Sequence, residues 1–279
     1  MQGKTPMAVD IRIAPTPDLR IVQTSSVHAH EDHDTQRSRP LIERLQHEEF
    51  MINPPIVAPI SSVEYVILDG ANRCYAFDQL GYPHILVQVA AYESGYVELE
   101  TWSHIVSHWQ IASFVAALQG IPDIQITPGQ DRNAIAHILL RDERVLAVHA
   151  SIKNTHERNA ALRKMVATYQ QNARLFRTTL NEPDEIWPLY PEAIALVVFP
   201  AYQPADIMAA ARHQAYLPAG VSRHIVHGRA LRINYPIAAL RDENTRLADK
   251  NQALQTWLQD RLANRKVRYY AEATYQFDE

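Results

Sequence analysis

The chain has 279 residues, 47% of them hydrophobic, and a formal net charge of −4, with a pI near 6.3. That length suits one large domain or two ordinary ones, and the composition excludes a disordered chain. The acidic balance argues against a protein that is basic overall and coats nucleic acid.

The single cysteine, Cys74, excludes an internal disulfide and a cysteine-rich zinc site. There is no leader pattern and no run of about 18 apolar residues, so the expected compartment is the cytoplasm, with no membrane partner. Along the chain, Asp10–Ala14 and Leu19–Val22 read as short strands around a proline-marked turn. The loop that follows, His28-Ala29-His30-Glu31-Asp32-His33, is rich in imidazole. As a string it matches the His-x-His-x-Asp-His ligand pattern of metal-dependent hydrolases of the metallo-β-lactamase type. Those enzymes need further ligands on glycine-rich strand ends, and this chain has only 8 glycines. Ser38–Glu48 reads as a helix with Leu41, Ile42 and Leu45 on one face, and Asn53-Pro54-Pro55 ends that region.

Strands are expected at Ile56–Ile60 and Tyr65–Leu68, on either side of Ser61-Ser62. The second runs into Asp69-Gly70-Ala71-Asn72-Arg73 and a helix whose Tyr75, Ala76 and Leu80 recur at helical spacing. A strand, a glycine turn and a helix N-terminus aim unpaired N–H groups and the positive end of the helix dipole at one place, and Arg73 adds a planar donor fork. This is a phosphate site in outline; an ordinary connection N-capped by Asp69 is the other reading. Ile85–Ala91 is a further strand.

Trp109–Leu118 is apolar enough for a buried helix, and Ala134–Leu140 with Val145–Ala150 reads as a hairpin. Asn154–Leu180 reads as one helix carrying Arg158, Arg163, Lys164, Arg174 and Arg177 against the single acid Glu157. Such a run is a solvated face, a complement to an anionic nucleotide, or a surface for DNA phosphates. A buried strand at Ala193–Phe199 and a short helix at Asp206–His213 lead into the loop that holds Ser222-Arg223-His224. Three arginines with imidazole and hydroxyl groups between Ser222 and Arg232 would be costly in a core, so an anion site or a solvated basic loop is expected. Leu240–Asn264 reads as an amphipathic helix and Val267–Phe277 as a closing strand.

The run from Asp69-Gly70 with Arg73 to Leu80-Gly81 resembles the phosphate-binding motif of the ParB/sulfiredoxin superfamily, and within it that of free L-serine kinases: the archaeal ADP-dependent enzyme and its relatives in bacterial siderophore clusters. Those kinases usually carry histidine where this chain has Asn72. Their His-Glu pair is matched by His30-Glu31, their pocket tryptophan by Trp102, and their Thr-Arg-His element by Ser222-Arg223-His224. The resemblance implies an α/β (α+β) protein. It has a ParB/sulfiredoxin-like nucleotide-binding domain at 1–104 and a mainly helical domain with a closing strand at 105–279, with the active site in the cleft between them. It implies phosphoryl transfer from ATP or ADP to the hydroxyl of free L-serine. Glu31 would take the hydroxyl proton, and Asp69 would be catalytic and hold Mg2+. Gly70, Ala71, Asn72 and Arg73 would bind phosphate, and Trp102, Ser222, Arg223 and His224 the amino acid. Alternatives are a ParB-like nucleotide-binding transcriptional regulator, with the basic helix on DNA though no helix-turn-helix is visible, and a hydrolase using the His28–His33 cluster. Trp102 is equally readable as a core or interface tryptophan, and the other reading of Glu31 is an exposed loop acid.

Overall fold

The computed structural model describes residues 15–32, 35–151 and 154–270. The expected strand Asp10–Ala14 lies outside these residues, as does most of the expected strand Val267–Phe277; its described part, 267–270, is not in a strand.

The described residues divide into two compact units, neither of them continuous in sequence: residues 15–28, 35–98 and 224–270 fall in the first, and residues 29–32 with 99–151 and 154–223 in the second. This differs from the expected division at 104/105, because the described residues 224–270 return to the first unit.

The first unit is built on a five-stranded mixed sheet in the order Asp18–Gln23, His84–Val89, Ile56–Pro59, Tyr65–Asp69, Val27–His28. Ile56–Pro59 runs antiparallel to Tyr65–Asp69 and parallel to His84–Val89. The strands read as apolar runs because both faces are covered: Val57, Val66 and Leu86 are fully buried, as is Phe77 on the helix Ala71–Gln79. Among the described residues the edge strand Asp18–Gln23 is closed by a side chain rather than by another strand. Asn251, on the helix Leu247–Ala263, accepts from Ile21 N at 3.0 Å and donates to Ile21 O at 2.8 Å. The single helix expected over Leu240–Asn264 is two, Ile237–Arg241 and Leu247–Ala263.

The second unit is not the mainly helical domain expected. It carries a six-stranded antiparallel sheet in the order Arg174–Thr178, Ser103–Ser107, Ala193–Val198, Ala136–Leu140, Val145–Ala150, Ile124–Pro128. The expected hairpin is present, pairing Ile138 with Leu146. The long basic helix stops early: Thr155–Asn172 is helical, N-capped by Asn154 accepting from Glu157 N, and Arg174–Thr178 is an edge strand. Leu162, Met165, Val166 and Tyr169 form the buried stripe of that helix at helical spacing. Its basic face is partly neutralised within the unit, Arg163 by Asp32 and Lys164 by Asp123. Among the described residues no helix is long and apolar enough to cross a membrane.

Candidate active site

Glu31 is brought into the second unit by backbone pairing. His30 O accepts from Leu217 N at 2.8 Å, Asp32 N donates to Leu217 O at 2.9 Å, and Glu31 bridges Leu217 in parallel register. This places the Glu31 carboxylate, its side chain 15% exposed, against the turn before the strand Ser222–Val226. Oε2 accepts from Gly220 N at 2.7 Å, and Oε1 accepts from Ser222 N at 2.7 Å and from the Ser222 hydroxyl at 2.6 Å. The Ser222 hydroxyl has one proton to give, so the 2.7 Å contact with His30 Nε2 makes that nitrogen the donor. Glu31 is therefore not an exposed loop acid. It is a carboxylate fixed by three donors, in line with a buried imidazole.

Gly220 has φ +76°, and a Cβ there would lie 1.9 Å from Arg177 Cζ, so both backbone conformation and space favour glycine. Its carbonyl is held from below by His104, fully buried on the strand Ser103–Ser107. His104 Nε2 lies 3.2 Å from Gly220 O and Nδ1 2.7 Å from the Tyr169 hydroxyl. The carbonyl can only accept, so Nε2 carries the proton and Nδ1 accepts from Tyr169. Burial holds this imidazole down to about 4, with the nearby Arg177 acting in the same direction and the Gly220 carbonyl against it.

Ser222 and Arg223 point to opposite sides of their strand. Arg223 pairs with Glu100 and lies 4.7 Å over the Trp102 ring. Trp102 is half-buried: its main-chain N–H donates to Val221 O at 2.8 Å, and its ring carries the Arg223 guanidinium.

In the first unit the turn after Tyr65–Asp69 is as expected, with one correction. The N-cap of the helix Ala71–Gln79 is Gly70, at φ 90°, and it makes no side-chain cap bond. The Asp69 carboxylate is instead paired with Arg229. A Cβ on Gly70 would meet Pro55 Cα at 3.0 Å. The N–H groups of Gly70, Ala71 and Asn72 have no acceptor inside the helix, which is the anion-binding feature of such a turn. Arg73 donates to the Asn53 carbonyl, so its guanidinium has a fixed anchor beside the turn. Asn72 brings no protonatable ring, and its Oδ1 is buried without a hydrogen-bond partner. His224 also belongs to this unit; its Nε2 is 2.7 Å from the hydroxyl of Tyr92, which burial keeps protonated and therefore a donor. The structure thus brings Asp69, Gly70, Ala71, Asn72 and Arg73 together in one unit with His224, and Glu31, Trp102, Ser222 and Arg223 in the other.

Sequence reading missed Arg229, Gly220 and the His104–Tyr169 pair. Arg229 lies in the stretch marked as an anion site and Gly220 just before it, but the partners of all of them are distant in sequence. Among the described residues of the histidine-rich loop, His28 faces Glu64 at 3.6 Å and His30 contacts Ser222. Among the described residues no three His, Cys, Asp or Glu side chains could hold one; His33 lies outside them. The purified protein is expected to carry no stoichiometric zinc. Elemental analysis finding zinc that is lost in His28→Ala would return the loop to metal chemistry.

No protein-family model matches the chain. In sequence it is 24% identical over 273 residues to the ATP-dependent L-serine kinase SbnI of Staphylococcus aureus (strain NCTC 8325 / PS 47), spanning 92% of this chain and 96% of that protein. In structure it is similar to C-terminally truncated SbnI from Staphylococcus aureus, with a TM-score of 0.72 and 19% identity over 88% of this chain and 97% of that one. It is also similar to a free serine kinase in complex with AMP, with a TM-score of 0.68 and 14% identity over 81% of this chain and 95% of that one. The chain therefore has the mixed α/β fold of these proteins over nearly their whole length.

Proposed function

We propose that this protein is a free L-serine kinase of the ParB/sulfiredoxin superfamily, transferring a phosphoryl group from ATP or ADP to the serine hydroxyl to give O-phospho-L-serine. The observation that carries this reading is the Glu31 clamp. A carboxylate offers about four lone-pair directions, three of them taken by Gly220 N, Ser222 N and Ser222 Oγ. The remaining one suits a substrate hydroxyl, and the Ser222 hydroxyl at 2.6 Å shows that the carboxylate accepts such a group at hydrogen-bond distance.

In the reaction the serine oxygen forms a bond to the terminal phosphorus of the donor, the bond from that phosphorus to the leaving nucleotide oxygen breaks, and Glu31 takes the hydroxyl proton. The Gly70 turn and Arg73 hold phosphate oxygens through backbone N–H groups and a fixed guanidinium. Trp102, Ser222, Arg223 and His224 bind the amino acid. Asp69 at the end of the strand would hold Mg2+ through a carboxylate oxygen, as sites that bind this ion with one or two carboxylates and substrate phosphates do. Such an ion would supply positive charge against that developing on the transferring group.

The direct test is to incubate the purified protein with ATP or ADP, Mg2+ and each free amino acid in turn. Phosphoserine formed from serine alone supports the reading, and no phosphorylated product with any of them overturns it. The phosphate turn has its own test. Arg73→Ala is expected to weaken nucleotide binding by about ten- to hundredfold, since a charge-assisted phosphate contact contributes roughly 1.5–3 kcal/mol. Calorimetry showing unchanged affinity would take this turn out of the site.

A further inference from the structure

Arg229 lies 160 positions from Asp69 in sequence, yet its guanidinium pairs with the Asp69 carboxylate at the phosphate turn. The pair itself is open to solvent, with side chains 38% and 43% exposed, and an exposed pair of this kind adds little to stability. What positions Arg229 is not exposed. Gln88 is 4% exposed, donates from Nε2 to Gly228 O at 3.0 Å and accepts at Oε1 from Ala230 N at 2.8 Å. One buried carboxamide thus grips the backbone on both sides of Arg229. The same residue's N–H donates to Pro55 O at 2.9 Å, and Pro55 is the residue that crowds Gly70. A buried amide is costly unless its polar groups are satisfied. Here the side-chain groups are satisfied by the segment that carries Arg229, and the main-chain N–H of Gln88 by Pro55, which abuts Gly70.

A rigid backbone beneath a solvent-facing guanidinium is an arrangement suited to exchanging partners. We propose that Arg229 is a phosphate-binding residue of this site, parked on Asp69 in the ligand-free chain and passed to phosphoryl oxygens when a nucleotide and its divalent ion reach Asp69. The exchange keeps every charge paired. Before it, the carboxylate holds the guanidinium; after it, the carboxylate holds the cation and the guanidinium holds phosphate, for which its planar fork is well matched. Arg229 thereby also keeps Asp69 from binding a cation before the nucleotide arrives. This assignment rests on the kinase reading above for the identity of the ligand.

The test measures two bindings that should move in opposite directions in Arg229→Gln. Mn2+ alone, followed by its paramagnetic signal, should bind about two- to fivefold more tightly, because Asp69 has lost a competing partner. ADP with Mg2+, followed by calorimetry, should bind about tenfold or more weakly, and Arg229→Lys should fall between the two proteins. A merely structural arginine would weaken both bindings together or leave both unchanged, and either result overturns the proposal. Serine phosphorylation by the unmodified protein separates the two readings. Opposite shifts without any phosphoserine keep Arg229 in a nucleotide site and remove the kinase. Phosphoserine formation with unchanged nucleotide affinity in Arg229→Gln removes Arg229 and leaves the kinase.

Discussion

Replacing Glu31 with glutamine is expected to lower kcat for serine phosphorylation by about 10²–10⁴-fold, the usual contribution of a positioned base, with KM for serine changed only a few-fold. The substitution keeps the shape of the side chain, and its carbonyl oxygen can stay with the Ser222 N–H and hydroxyl. Its NH2 group then faces Gly220 N–H, a donor against a donor. That mismatch costs about 1–3 kcal/mol, so the variant should also melt at a lower temperature. The two effects are distinguishable: a distorted clamp would misplace serine in the ground state and raise KM, whereas loss of the base acts only as the proton leaves and appears in kcat. Steady-state rates over a serine series decide between them. Turnover at the wild-type rate would remove Glu31 from the chemistry and make Asp69 the next candidate base.

The parts of the site legible in the sequence were those whose chemistry is local. Asp69, Gly70 and Arg73 sit within one turn, and an apolar run followed by glycine and a helix declares that turn without tertiary information. The Glu31 clamp was only half legible. His30-Glu31 could be singled out through a family resemblance, but its donors lie 189 and 191 positions away, at Gly220 and Ser222, and no periodicity reports such a pairing. The same limit produced the error in the second unit. Arg174-Leu175-Phe176-Arg177-Thr178 contains no helix breaker and continues a basic helix without interruption, yet it is an edge strand whose Arg174 and Arg177 are exposed and whose ladder partner, Ser103–Ser107, is distant in sequence. Edge strands lack the buried alternation that identifies central ones. His104 reads in sequence as one more polar residue in a Thr-Trp-Ser-His run, and only the sheet shows it as the buried post beneath Gly220.

That post predicts how the protein responds to acid. His104 is neutral in the folded chain because burial lowers it from the ordinary 6.5 to about 4. Between those two values the unfolded chain binds the extra proton and the folded chain does not, so stability falls as pH drops. The contribution is fully retained above about pH 6.5, is lost at up to about 1.4 kcal/mol per pH unit below it, and levels off near pH 4, for a total of about 3 kcal/mol. Protonation also puts a hydrogen on Nδ1, where Tyr169 now donates. Tyr169 is fully buried and burial keeps its hydroxyl protonated, so two donors would meet beneath the Gly220 turn that holds Glu31. His84, lowered by burial and by Lys250, adds acid sensitivity of the same sign. Asp142 and Asp242, both lowered, act below the ordinary 3.8 and so outside this window. A comparison with His104→Gln cancels these shared terms, since glutamine cannot titrate but can still donate toward the Gly220 carbonyl. Urea unfolding at intervals from pH 7 to pH 4 should show the difference in stability between the two proteins narrowing by about 3 kcal/mol as pH falls. If both lose stability in parallel across that range, the buried imidazole is not the group that acid attacks, and the Gly220 turn is supported by something other than a neutral His104.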